Sequence, residues 1–197
     1  MVECHPLAGN EMLFAQRLQT LPVLGLGIST EYGAGDTPRA LNPLELRSAD
    51  SRFGRFLEVG VETAKGLDTH AQNWANQDLP TTYHFLDINL DEPEDFDARW
   101  LQEVQNLVQV LQPAWLCGDA GQWHIGPRER GHMLLLPPIL VQDSVQPMAD
   151  GIIRLREAIG REVLPENPPG SAFVGNLHLL DFFGCVIQAA DPGMHLD

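Results

Sequence analysis

The chain has 197 residues, 44% of them hydrophobic, which is enough to bury a real core and too mixed for a disordered or fibrous protein. Twelve basic residues against 27 acidic ones give a formal net charge of −15; such a field repels nucleic-acid phosphates and anionic membrane surfaces, so neither is an expected partner. Cys4, Cys117 and Cys185 are far apart with no CxxC pair, the N-terminus lacks a signal-peptide pattern, and no apolar run approaches the roughly 20 residues of a bilayer crossing, so the chain reads as a cytoplasmic protein with reduced thiols.

Residues 8–19 suit a short helix leading into the first strand candidate, residues 21–29, an apolar run with two glycines of the kind packed on both faces. A Gly/Asp/Pro-rich loop follows, and Asn42 with Pro43 marks a helix start. Residues 55–62 alternate apolar and polar and end on Glu62, whose side chain shares the parity of Glu58. A helical segment from Gly66 to Asp78 precedes a third strand at 81–88, which carries His84 and Asp87.

The clearest helix is 93–112. Leu101, Val104, Leu107, Val108 and Leu111 share one face, acidic residues crowd its start, and Pro113 stops it. A fourth strand, 114–119, ends on Asp119. The long connection to Gln142 holds Trp123, His124, Arg128, Arg130 and His132, and its length suggests a lid or pocket wall. Ser144 then reads as the cap of a helix that ends at Gly160. The fifth strand delivers Glu166 and Asn167 before two prolines and a glycine stop it. A helix over 175–190 and the start of a sixth strand at 192–197 complete the chain, with Asp197 last.

Strand starts near 23, 55, 81, 113, 161 and 192, each separated by a helix at intervals of roughly 30 residues except at the long loop, imply a parallel α/β sheet. A doubly wound sheet would be complete at this length, yet Gly25-Leu26-Gly27-Ile28-Ser29-Thr30 lacks the third glycine of its phosphate turn. A closed (β/α)8 barrel wants about 250 residues, and against that standard the chain reads as one barrel-type domain about two strands short. The barrel is preferred because Glu62, His84, Asp119, Glu166 and Asp197 all close strands, and strand ends in a barrel share one mouth. Glu, His and Asp donors with open positions suit non-haem iron, and also zinc or manganese. Each residue has a plainer reading: His84 as a bonded core histidine, Glu62 and Asp119 as helix caps, Asp197 as a chain end.

Taken together, Leu24-Gly25-Leu26-Gly27-Ile28, Leu57-Glu58-Val59-Gly60-Val61-Glu62, His84, Glu166-Asn167-Pro168 and Gly193-Met194-His195-Leu196-Asp197 resemble the multinuclear non-haem iron-dependent oxidases, a family that includes the methanobactin-biosynthesis oxidase. The resemblance lies in the order and spacing of motifs over nearly the whole chain. It implies a TIM-barrel-like fold of the xylose-isomerase kind, here shortened to about six of eight β/α units. It further implies two or three iron ions at the mouth and oxidation of a ribosomally made precursor peptide, often at cysteine, with molecular oxygen; another divalent metal is the alternative. By position it assigns His84, Glu166 and Asp197 as metal ligands; Asp119, which closes the fourth strand, is expected to join them, with Glu62, Asn167 and Asp87 around the set. A precursor peptide and a peptide-recognition protein are the implied partners, and the open edges of a shortened barrel favour self-association.

Three departures stand out. Asp119 occupies a position where the family commonly has histidine, His84-Phe85-Leu86-Asp87 replaces a small-residue run, and the last two strands are absent. A catalytically inactive barrel that serves as a peptide- or protein-binding scaffold is therefore the competing reading. A metal-dependent sugar isomerase or phosphodiesterase on a similar barrel shares the ligand types without the motifs.

Overall fold

The computed structural model describes residues 13–30, 41–127, 135–168 and 173–196. Asp197, Cys4, Arg128, Arg130 and His132 lie outside them. Five strands, β1 (Ile28–Thr30), β2 (Leu57–Val61), β3 (Thr81–Phe85), β4 (Leu116–Asp119) and β6 (Val163–Glu166), form one sheet in the order β1-β2-β3-β4-β6, and every pairing is parallel. Neighbours in space are thus neighbours in the sequence, with β5 (Ile139–Leu140) set aside in a separate two-stranded pairing with β7 (Val174–Gly175). A doubly wound sheet must reverse its order part-way, and this one does not. The single parallel bridge Glu166↔His195, held by Asn167 N to His195 O at 3.2 Å and His195 N to Pro165 O at 3.0 Å, adds a sixth position beyond β6. The architecture is an incomplete TIM-barrel-like arc of the α/β class.

After a short first helix, α1 (Phe14–Arg17), the helices α2 (Pro43–Ala49), α3 (Thr69–Ala75), α4 (Ala98–Leu111), α5 (Gln142–Ile159) and α6 (Leu179–Ala190) follow the strands. Registration explains which face they cover. Along β2, β3, β4 and β6, the partners Val59, Tyr83, Leu116 and Val163 lie in one row, and with Leu57, Val61 and Phe85 they belong to the hydrophobic core. Val104, Leu107, Val108 and Leu111 of α4 and Met148, Ile152 and Leu155 of α5 meet them there. Each such side chain contributes about 1.5–3 kcal/mol when fully buried, several times what helix propensity supplies per residue. Trp100 anchors the layer, set edge-on to Phe85 and Phe96 with ring centroids 6.2 and 5.9 Å away.

Several boundaries differ from expectation. The run 21–27 is not a strand: Gly25 takes φ +86°, Val23 is 95% exposed and Leu26 is exposed, so the apolar composition there marks an irregular approach to β1. Pro93 begins a 3-10 turn, Pro93–Asp95, and the long helix starts only after Asp97, whose side chain accepts from Trp100 N at 2.8 Å. Ser144 lies inside α5, whose N-cap is Val141 without a side-chain bond; the short strand β5 fixes that entry instead. The last helix starts at Leu179, because Val174–Gly175 pairs with β5 and His178 accepts from Leu180 N. The cysteines are not all reduced thiols: Cys117 is free and buried, whereas Cys185 is disulfide-bonded, a pairing that distance along the chain cannot reveal. Among the described residues no helix is long and apolar enough to cross a membrane.

At Gly118 an added Cβ would sit 2.0 Å from Cε2 of Phe85, a fully buried ring. Gly118→Ala should destabilise the protein by about 1–3 kcal/mol, read as a lower urea midpoint at unchanged slope. Phe85→Leu in the same chain should make the added methyl less costly. Equal midpoints for wild type and Gly118→Ala would show that the ring does not set this position.

Candidate metal centre

The opposite face of the same strands carries different chemistry. A two-residue alternation places Gly60, His84, Cys117 and Leu164 in one row across β2, β3, β4 and β6, and Asp119, Glu166 and His195 in the next. Cys117 and Leu164 are buried yet stand outside the core cluster, which separates this inner face from the helix-covered one. His84 Nε2 lies 3.2 Å from Asp119 Oδ2 and 3.8 Å from Glu166 Oε2. The three residues are 4–8% exposed. Three adjacent strands therefore deliver one imidazole and two carboxylates to a single buried point, at the carboxyl ends of the strands.

Burial pulls the His84 pKa down, but the hydrogen bond the ring donates to Asp119 and the charges of Asp119, Glu166 and Glu58 outweigh it, and the net shift is upward. The ring thus holds a proton to higher pH than a free imidazole. Burial, followed by the carboxylates around it, raises the Cys117 thiol well above its usual value. The anionic inner face holds protons wherever it can, and a dication would answer the same charge.

The remaining nominated residues are placed elsewhere. Glu62, just past β2, forms an ion pair with Lys65 at 2.6 Å and starts a 3-10 turn. Asp87 accepts from Thr63 N at 2.8 Å and from Trp100 Nε1 at 3.2 Å, so it joins the end of β2 to the helix layer. Asn167 takes part through its backbone bond to His195. His124, in the long connection after β4, is buried. Its Nε2 lies 2.8 Å from Asp95 Oδ2 and its Nδ1 2.6 Å from Gly126 O, in a network where Asn89 donates to Gln122 and to the His124 carbonyl. That network pins the loop after β3 to the loop after β4 and commits both ring nitrogens.

Three inner-face residues were not nominated as ligands from the sequence: Glu58, Cys117 and His195. The carboxylate of Glu58 accepts from Ser29 Oγ at 3.1 Å and from Thr82 Oγ1 at 3.4 Å, and the Cys117 thiol approaches it at 3.6 Å. Among the described residues, two potential donor sets have atoms mutually within 4.8 Å: His84, Cys117 and Glu166, and Glu58, Cys117 and His195. The parity rule contained the signal, since Cys117 and His195 stand two residues before Asp119 and Asp197.

The family model for the RiPP precursor modification enzyme MbnB/TglH/ChrH matches residues 38–197, most of the chain. The chain belongs to this family. A UPF0276 protein of Anaeromyxobacter sp. (strain Fw109-5) is similar at 24% identity over 125 residues, a match covering 61% of this chain and 43% of that relative. The chain thus spans less than half the length of that relative. A solved structure, 3-keto-D-glucoside 4-epimerase YcjR from E. coli in its apo form, aligns over 88% of this chain and 78% of its own with 11% identity and a TM-score of 0.43, a likeness too small to speak to activity.

Because the folded-state pKa of His84 is raised, the His84–Asp119 pair contributes its stability in full below the unfolded value of about 6.5 and loses it as pH rises through the folded midpoint. In the metal-free protein, Asp119→Asn should lower the His84 midpoint followed by NMR. It should also cost more stability at pH 5.5 than at pH 8.5. An unchanged midpoint, or a larger cost at the alkaline pH, would dissociate Asp119 from the His84 proton.

Proposed function

We propose that this chain is a metal-dependent enzyme of the non-haem iron oxidase type, acting on a ribosomally made precursor peptide at cysteine with molecular oxygen. The observation that carries the proposal is the meeting of His84, Asp119 and Glu166 from three neighbouring strands at one buried point, in a chain of a precursor-modifying family. The donor set fits iron: two hard carboxylates and one borderline imidazole leave coordination positions open for a substrate thiol and oxygen. Bound iron would supply one-electron and oxygen chemistry that no amino-acid side chain provides.

The chain's own residues prepare the place. Nε2 of His84 binds either a proton or a metal, so loading releases a proton and strengthens as pH rises through the raised His84 value. Asp119 orients the imidazole. Glu166, buried beside both, would help hold the group as a second anion, offsetting the repulsion of the positive charge there. Its position is held by the strand itself, since Asp119 is its register partner and Ala120 N donates to the Glu166 carbonyl at 3.0 Å. Asp197 is a further ligand in this reading. The buried walls exclude bulk water and raise the strength of every charge interaction inside.

A scaffold function is the competing proposal, because the described strands form an open arc, a shape that binds a peptide without reacting with it. Metal content separates the two. Protein purified anaerobically from iron-supplemented cells should contain at least one iron per chain by elemental analysis, and Glu166→Ala should retain less than about a tenth of it. A cysteine-containing precursor peptide should change mass only with the loaded protein and oxygen. A chain that carries no metal under these conditions leaves the scaffold reading in possession.

A further inference from the structure

A cavity of about 520 Å³ lies at the amino ends of the strands, on the rim opposite the mouth. Its walls come from Thr20 to Pro22 after α1, from Pro113 and Ala114 before β4, and from Arg161 and Glu162 before β6. Three of the twelve basic residues of the chain, Arg17, Arg156 and Arg161, line it. The helices α4, α5 and α6 all end on this side, and the carbonyl groups at helix carboxyl ends attract cations. That accounts for two of the three arginines. Arg17 donates to the Asp191 carbonyl at 2.7 Å and pairs with Glu162 at 2.7 Å and Asp191 at 3.4 Å, while Arg156 donates to the Ala190 carbonyl at 3.0 Å. Arg161 has no such explanation. Among the described residues its one bond runs from Nη2 to the neutral Oε1 of Gln112 at 3.0 Å, although its guanidinium offers five N–H donors.

We infer that this cavity binds a small organic anion that presents a carboxylate or phosphate group to Arg161. Charge favours it. Three guanidinium groups stand against two carboxylates, Glu162 and Asp191, so the place is positive within a chain of net charge −15. A small anion therefore meets repulsion over most of the surface and attraction here. Donor chemistry favours it too, because the planar guanidinium fork matches the paired oxygens of a carboxylate or phosphate and gives up its water more readily than an ammonium group does. The volume falls within the roughly 300–1,000 Å³ of small-molecule pockets, and Leu21, Pro22 and Pro113 offer apolar wall to the body of the ligand. A bound anion would tie Thr20 to Pro22 to the starts of β4 and β6, and so stabilise the fold by mass action. Chemistry in a barrel gathers at the opposite rim, so the inference does not depend on what the mouth binds or whether it reacts.

The test titrates the full chain by calorimetry with inorganic phosphate and, separately, with succinate at pH 8, the ionic strength held constant with sodium chloride. At least one of them should saturate one site per chain with a Kd of about 1 mM or tighter and raise the melting temperature. Phosphate alone would assign the site to phosphate esters, succinate alone to carboxylates, and either result supports the inference. Arg161→Gln should weaken binding about tenfold, and the variant should fold, since Arg161 holds no carboxylate in place. Arg52→Gln removes the same charge from a side chain that is 83% exposed, and should leave the affinity unchanged. Glu166→Gln should leave it unchanged as well, which places the anion away from the mouth. Equal weakening in Arg161→Gln and Arg52→Gln would reduce the effect to general charge attraction and overturn the inference. Loss of binding in Glu166→Gln, or no saturable binding of either anion by the folded chain, would overturn it equally.

Discussion

Alternation of side chains along parallel strands is the constraint on which the rest of this structure depends. Because the period is two, one register decides both faces of β2, β3, β4 and β6 together. Val59, Tyr83, Leu116 and Val163 go to the helix layer, and their neighbours His84, Cys117 and Leu164 go to the inner face. A slip of one residue in β4 alone would send Cys117 and Asp119 into the core and Leu116 to the centre. The hydrophobic layer thus positions the polar one. Stabilisation comes from the outer row and chemistry from the inner row, and neither can shift without the other.

The inner face then has to live with its own charge. Glu58, Asp119 and Glu166 bring three carboxyl groups near one imidazole and one thiol, in surroundings that screen poorly. Burial first and then the carboxylates raise the Cys117 thiol, while on His84 burial acts downward and the carboxylates outweigh it, so both groups hold their protons to higher pH. Protons are weak substitutes, since each cancels one charge where a divalent ion cancels two. The aspartate at position 119 sharpens this, since an anionic donor raises the demand for positive charge at the same point.

Much of this was legible in the sequence, and the reasons differ by element. The parallel α/β arrangement could be read because strands and helices alternate at regular spacing, and His84, Asp119 and Glu166 could be singled out because each falls at or near the end of an apolar run. Local composition misled at residues 21–27, where Pro22 and Gly25 outweigh the leucines, and at Ser144, where a pairing between β5 and β7, distant in sequence, sets the helix entry. Glu62 and Glu58 could not be told apart by parity alone. Lys65, three residues on, draws Glu62 outward, while Ser29 and Thr82, on the two flanking strands, hold Glu58 inward. Cys117 and His195 were hidden for the same reason: a thiol and an imidazole are remarkable only once a third donor from another strand stands beside them.

The sequential order of the sheet bears on how firmly each side of the rim is held. In an arc of this kind every connection returns along the outside, so the loops after β3 and β4 both rise at the carboxyl end, around His84 and Asp119. They are not independent. The side chain of Asn89 donates to Gln122 and to the His124 carbonyl and accepts from Trp123 N, and Asp95 receives both the Asn89 amide and the His124 ring. A buried network with so many charge-assisted members resists partial opening, since breaking one bond strands a polar group in the interior. On this side the rim is therefore stiff. Beyond β6 the connection is slighter: among the described residues the sixth position is joined to the sheet by one bridge, between Glu166 and His195, and on the proposed function that is the side that would adjust to admit a peptide.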